Sequence, residues 1–253
     1  MIPAAAAPSQ PPPRRVLLTN ALSYAGPGAL AALAARGDRV ACHDAAFVDP
    51  APRRAFEAAW PQATALANVA PEAAAAEAAD LLGELDAVVS NDVHPLTPAP
   101  IEDVDIADLR ATLEAVTVFP FRLAQSVLPA MKRRRGGSLV FVTSARERRP
   151  EPGYAVPTAA RAATTAFAKA LAKEAAPYQI QVNVVAPNYL ASELYYPRAR
   201  FVDDPAGRAK IAELVPFGRL GRPDEVGGLI AFLTSGQSPF TTGQVIDFTG
   251  GWP

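Results

Sequence analysis

Short apolar runs recur along the chain with room for about one helix between each pair, and this alternation restricts the fold more than any other feature. VLLT (Val16–Thr19), RVACH (Arg39–His43), DAVVS (Asp86–Ser90), SLVFVTS (Ser138–Ser144), QVNVVAP (Gln181–Pro187) and QVIDF (Gln244–Phe248) each read as a strand, with TALA after Gln62 as a further one. Between them, GPGALAALAARG has helical spacing, with Pro27 early and Gly37 at its stop. RRAFEAAW, PEAAAAEAADLLGEL and the alanine-rich stretch opened by Arg161 read as helices too, as do segments around Asp204–Leu214 and Pro223–Leu233. IADLRATLEAVTVFPFRLAQSVLPAMKRRR is a long helix interrupted near Pro120. Strands that are apolar throughout are buried on both faces, and strands alternating with helices make a parallel sheet. The expected fold is therefore α/β: a single-domain, Rossmann-like, doubly wound parallel sheet of about seven strands flanked by helices, over residues 14–253. MIPAAAAPSQPPPRR is too polar and too rich in proline for a signal peptide, and residues 1–13 read as a disordered Pro/Ala-rich tail.

Charge narrows what such a sheet can serve. Lys and Arg number 24 against 25 Asp and Glu, a net charge of -1, which argues against nucleic acid or an anionic membrane surface as the main partner. No apolar run is long enough to span a bilayer. Cys42 is the single cysteine, so no intramolecular disulfide forms and a reducing cytoplasm is the expected compartment. His43 and His94 are far apart, and no His/Cys/Asp cluster has metal-ligand spacing, so no metal is expected.

Open α/β sheets do their chemistry at the carboxyl ends of the strands. There SARERRPEPGYAVPTAAR (Ser144–Arg161) places a serine at the end of a strand, Tyr154 beyond a proline-broken loop and Arg161 on the next helix. The turn after the first strand is TNALSYAG (Thr19–Gly26). A dinucleotide site needs glycines in that turn so that the backbone can approach a pyrophosphate, and only Gly26 is present where they belong. SND (Ser90–Asp92) follows the fourth strand and PNYL (Pro187–Leu190) the sixth.

Together with the ending GRLGRPDEVGGLIAFLTS…TTGQVIDFTGG, these segments resemble a short-chain dehydrogenase/reductase over nearly the whole chain. Their shared departures from the cofactor-dependent pattern resemble one branch, the halohydrin dehalogenases. TNALSYAG fits that branch's T-x4-[F/Y]-x-G through Thr19, Tyr24 and Gly26, and ACHDAAF, VVSND and APNYL are similar to stretches of it. The resemblance implies a cofactor-independent lyase that turns vicinal haloalcohols into epoxides plus halide, and opens epoxides with small anions in reverse. It implies a catalytic set of Ser144, a tyrosine and Arg161, the arginine's fixed cation favouring phenolate. Halide or another small anion would sit among Tyr24, Pro187, Asn188, Tyr189, Leu190 and Tyr195, with Tyr24 where the nicotinamide end of a cofactor would run; Thr19, Gly26 and Asp92 are supporting residues. An aromatic cluster that merely packs the loop is the alternative for the tyrosines. A homotetramer is also implied, with the long helices after strands four and five between subunits.

One spacing departs from the branch. Its tyrosine stands four residues before the arginine, one helical turn away, and that position here is Pro157, which has no proton to transfer. Two readings stand: Tyr154 supplies the phenol from the loop before the helix, or the site is catalytically impaired. An NAD(P)-dependent oxidoreductase is the competing activity. Asp44, where a dinucleotide-binding protein keeps its ribose carboxylate, reads as a loop or cap residue. RERR (Arg146–Arg149) is either a charged entrance attractive to anions or an exposed loop.

Overall fold

A computed structural model describes residues 12–253. The tail expectation falls outside the described residues except for Pro12 and Pro13, which are exposed. Seven strands, β1 (Arg15–Leu18), β2 (Arg39–Cys42), β3 (Ala63–Ala65), β4 (Ala87–Ser90), β5 (Gly137–Val142), β6 (Ile180–Pro187) and β7 (Val245–Phe248), form one sheet. All neighbours pair in parallel, in the order β3-β2-β1-β4-β5-β6-β7. The helices are α1 (Gly26–Ala35), α2 (Pro50–Ala59), α3 (Pro71–Leu82), α4 (Ile106–Leu113), α5 (Phe119–Arg134), α6 (Ala155–Ala175), α7 (Pro205–Leu214) and α8 (Pro223–Thr234). This is the doubly wound sheet that the alternating pattern implies.

The period-2 geometry of a strand explains why the apolar runs carry no polar alternation. In β1, Val16 and Leu18 pack with α1, while Leu17 between them packs toward α3 on the opposite face. Residues of α1, α2 and α8 complete one core layer, and residues of α3, α5 and α6 the other. Most residues inside the strands are therefore apolar. Among the described residues, no helix is long and apolar enough to cross a membrane, and no group of three metal-ligating side chains comes together.

One helix break falls where the sequence reading has it, and one helix start differs from that reading. The break near Pro120 is a π-helical stretch, Glu114–Val118, joining α4 to α5; proline lacks an N–H and crowds the carbonyl four residues back, and the wider turn accommodates both. And α6 opens at Ala155 instead of Arg161: the Thr158 N–H donates to the Tyr154 carbonyl (3.0 Å), starting the helix with Pro157 in its first turn, where no N–H is needed. Arg161 consequently projects from the second turn, and Tyr154 caps the helix from outside.

Candidate active site

The sheet's order reverses between β1 and β4, and the loops leaving their carboxyl ends meet those of β5 and β6 there. The turn after β1 keeps the backbone of a glycine turn without its glycines. Asn20 (φ 45°) and Tyr24 (φ 55°) are both left-handed, a region that favours glycine. A hydrogen-bond network holds them. The Asn91 amide donates to the carbonyls of Asn20 (3.0 Å) and Ser23 (2.9 Å), and the Asn91 N–H donates to the Thr19 hydroxyl (3.0 Å). The Asn20 amide donates to the Asp92 carboxyl (3.0 Å), which also accepts from the Ser90 hydroxyl. Gly26 is required for packing, since a Cβ there would lie 2.4 Å from the Asn20 carbonyl oxygen.

A dinucleotide does not fit these residues. Tyr24 lines the cleft, the turn's carbonyls are tied down by Asn91, and Asp44 is engaged as a cap, accepting from the N–H groups of Leu22 (3.0 Å) and Ala46 (3.1 Å). Asp44 thus caps the turn after β2.

Burial raises the Asp92 carboxyl's pKa, against the opposing hydrogen bonds of Ser90, Thr19 and Asn20 and the nearby His43. A carboxyl whose native pKa exceeds its unfolded value of about 4 binds more protons folded than unfolded between the two. Its contribution to stability is therefore present at low pH and lost as pH rises through that window. Thermal unfolding followed against pH should show this decline above about pH 4, and Asp92→Asn should flatten it.

A cleft of about 550 Å³ opens beside this turn. Of the residues singled out in the sequence, Tyr24, Ser144, Tyr154, Arg161, Pro187, Asn188, Tyr189, Leu190 and Tyr195 all line it. Thr19 and Asp92 lie behind it, fully buried in the turn's network, with Gly26 at the start of α1. The rings of Tyr24 and Tyr195 meet edge to face, 5.3 Å between centroids, and the Arg161 guanidinium lies 5.9 Å from the Tyr24 ring. Burial drives the Tyr24 phenol's pKa well up, more than Arg161 draws it down, so Tyr24 is a neutral hydrogen-bond donor. Arg161 is buried and donates to the Val142 carbonyl (2.8 Å). Asn188 is more than nine-tenths buried, and its amide nitrogen has no partner among the described residues. Tyr189 instead does packing work: it is left-handed (φ 55°), buried, and set against Trp252 and Tyr196.

Arg146, which the sequence reads with its neighbours as either a charged entrance or an exposed loop, and Tyr196 also line the cleft. Arg146 lies with its guanidinium 3.8 Å from the centre of the Tyr154 ring and 3.4 Å from the Glu151 carboxylate. Its backbone N–H donates to the Ser144 hydroxyl (3.2 Å), which caps a short 3-10 turn, Ala145–Arg148. Tyr196 packs on Tyr189 and Phe201. The signal for Arg146 was the charge run after Ser144; the turn that points it inward has no sequence mark beyond a serine cap.

The family model for enoyl-(acyl carrier protein) reductases matches residues 26–253. A curated acetoacetyl-CoA reductase of Shinella zoogloeoides is 31% identical over 177 residues, 67% of this chain and 68% of that one. Other curated relatives are matched over about half to three-fifths of their length. Among solved structures, one titled a dehalogenation enzyme is 39% identical with a TM-score of 0.91, covering 95% of this chain and 98% of that one. A halohydrin dehalogenase (HheC) bound to ethyl (2S)-oxiran-2-ylacetate is 34% identical with the same TM-score, covering 94% and 96%. The chain belongs to the short-chain dehydrogenase/reductase superfamily, and halohydrin dehalogenases are among its structural neighbours.

Proposed function

We propose that the protein is a cofactor-independent lyase of the halohydrin dehalogenase kind, converting vicinal haloalcohols to epoxides and halide and running in reverse with small anions. The observation that carries this reading is Tyr24: a phenol on a left-handed backbone where a glycine turn would admit a dinucleotide, facing Tyr195 across the cleft. With the Asn188 amide nitrogen free among the described residues, that end of the cleft offers neutral donors and aromatic edges, which suit a weakly hydrated anion. The dehalogenase neighbours support the same chemistry.

In this reading the Tyr154 phenolate removes the proton of the substrate hydroxyl while the Ser144 hydroxyl donates to that oxygen. The alkoxide forms a new C–O bond to the adjacent carbon as its C–halogen bond breaks, and halide leaves with the bonding pair toward Tyr24, Tyr195 and Asn188. The phenol then returns its proton to solvent. Ile106, Val118 and Phe121 are exposed on the α4–α5 segment, which supports the expected packing of these helices between subunits of a homotetramer.

The test is halide release from a panel of vicinal chloro- and bromoalcohols, with nicotinamide fluorescence recorded on titration with NADH and NADPH. Release without added cofactor is expected, and Ser144→Ala should lower kcat about 10²-fold by removing the donor to the developing alkoxide. Micromolar nicotinamide binding, with no halide from any substrate, would replace this reading with the oxidoreductase.

A further inference from the structure

The proton-transferring tyrosine of the proposed reaction needs a neighbouring cation, and the fold supplies one from an unexpected direction. Tyr154 caps α6, and the residue one turn further on is Thr158, whose hydroxyl is buried without a partner among the described residues. Arg161 is committed to the Val142 carbonyl and to the face of the cleft that holds Tyr24. The guanidinium on the Tyr154 ring is that of Arg146, at 3.8 Å.

We propose that Arg146, rather than Arg161, is the cation that balances the charge of the Tyr154 phenolate during proton transfer. This rests on the dehalogenase reading and deepens it.

Three features of Arg146 fit the role. Its side chain is only 15% exposed, so its charge acts through protein and little water and is weakly screened. Burial works against that charge, but the Tyr154 hydroxyl and the Glu151 carboxylate outweigh burial and raise its pKa, so it stays a fixed cation. The segment carrying it is also pre-set. Ser144 caps the turn through the Arg146 N–H, the Tyr154 N–H donates to the Glu151 carbonyl (3.3 Å), and the left-handed Gly153 (φ 81°) bonds through its carbonyl to the Ala99 N–H (3.1 Å). Serine, arginine and tyrosine thus form one contiguous unit, 144–154, while Arg161 is left on the anion side of the cleft. The arginine that the family pattern puts beside its tyrosine and the arginine that touches this tyrosine are different residues.

Arg146 acts through Tyr154, so it is a positioning residue, and its test must separate that role from folding. Steady-state halide release is measured for wild type, Arg146→Ala, Arg146→Lys and Tyr154→Phe, with unfolding temperatures in parallel. Arg146→Ala is expected to lose 10- to 100-fold in kcat with KM within about threefold of wild type. Arg146→Lys should recover part of that loss, because it restores the charge but not the planar guanidinium stacked on the ring. Guanidinium sulfate at millimolar concentration should rescue Arg146→Ala in a saturable way, with sodium sulfate at equal ionic strength as the control. If Arg146→Ala keeps the wild-type kcat while Tyr154→Phe is inactive, the dehalogenase reading stands and the assignment of Arg146 falls. If the wild type itself releases no halide, both fall. Loss in Arg146→Ala with neither lysine nor guanidinium rescue would also overturn the assignment, reducing Arg146 to packing.

Discussion

Tyr154→Phe is expected to lower kcat for halide release by about 10²–10⁴-fold, the usual contribution of a positioned general base. KM should change little, because the ring that lines the cleft and packs under Arg146 remains. The loss should appear equally in epoxide opening by azide, since the same group returns the proton in the reverse direction. Pro157 lines the cleft from the first turn of α6 and can neither donate nor accept a proton through its side chain. If Tyr154 is not the base, no phenol stands at the family's position to take over. The remaining tyrosines at that end are poor substitutes, since burial raises the pKa of Tyr196 more than the nearby Arg146 lowers it. Steady-state rates of bromide release for wild type and Tyr154→Phe decide the matter. Equal rates would remove Tyr154 from the chemistry and favour an impaired or different site.

The architecture was legible because it depends on a repeated physical signal. Seven mostly apolar runs alternating with helices need helices on both faces of one parallel sheet, and that is the sheet observed. The site was legible in part, and the division is instructive. Residues at a strand end or a turn, such as Ser144, Asn188 and Tyr24, line the cleft, because strand ends in this fold point at the switch point. Asn20 shows what the sequence hides: an asparagine can adopt glycine's backbone region when a partner such as Asn91 holds the turn from across the sheet, 71 residues away in the chain. The alanine-rich stretch reads as a helix opened by Arg161, although Pro157 also suits an early helical position with Tyr154 on the loop before it. Proline in a first turn costs no hydrogen bond, so the helix runs six residues further back. Arg146 was invisible as a partner of Tyr154 for a different reason. A charge run in a loop normally faces water, and only the capped turn after Ser144 and the Glu151 ion pair bring this one inward.

Adjacent glycines in α8 should respond in opposite directions to the same substitution. Gly227 is buried where α8 crosses α1, and a Cβ there would lie 2.1 Å from the Gly28 carbonyl oxygen; a Cβ on Gly28 would lie 1.9 Å from that of Pro223. Both obstacles are backbone, so no side-chain rotation relieves them and the two helices must move apart. Gly227→Ala is therefore expected to destabilise the protein by about 3 kcal/mol or more. Gly228, next in the helix, is exposed and has nothing within 4 Å of a built Cβ. Gly228→Ala should stabilise by about 0.5–1 kcal/mol, by removing the backbone freedom that glycine loses on folding. For a chain of this size each kcal/mol shifts the unfolding temperature by about 2–4 °C, so calorimetry should separate the two variants by roughly 7–16 °C. The contact also reaches the site, because α1 begins at Gly26, two residues after Tyr24, and a shifted α1 carries the phenol with it. Gly227→Ala should for that reason weaken halide inhibition of the enzyme at temperatures where it is still folded, whereas Gly228→Ala should leave inhibition unchanged. Equal unfolding temperatures for the two variants would mean that the α1–α8 crossing is looser than these distances require.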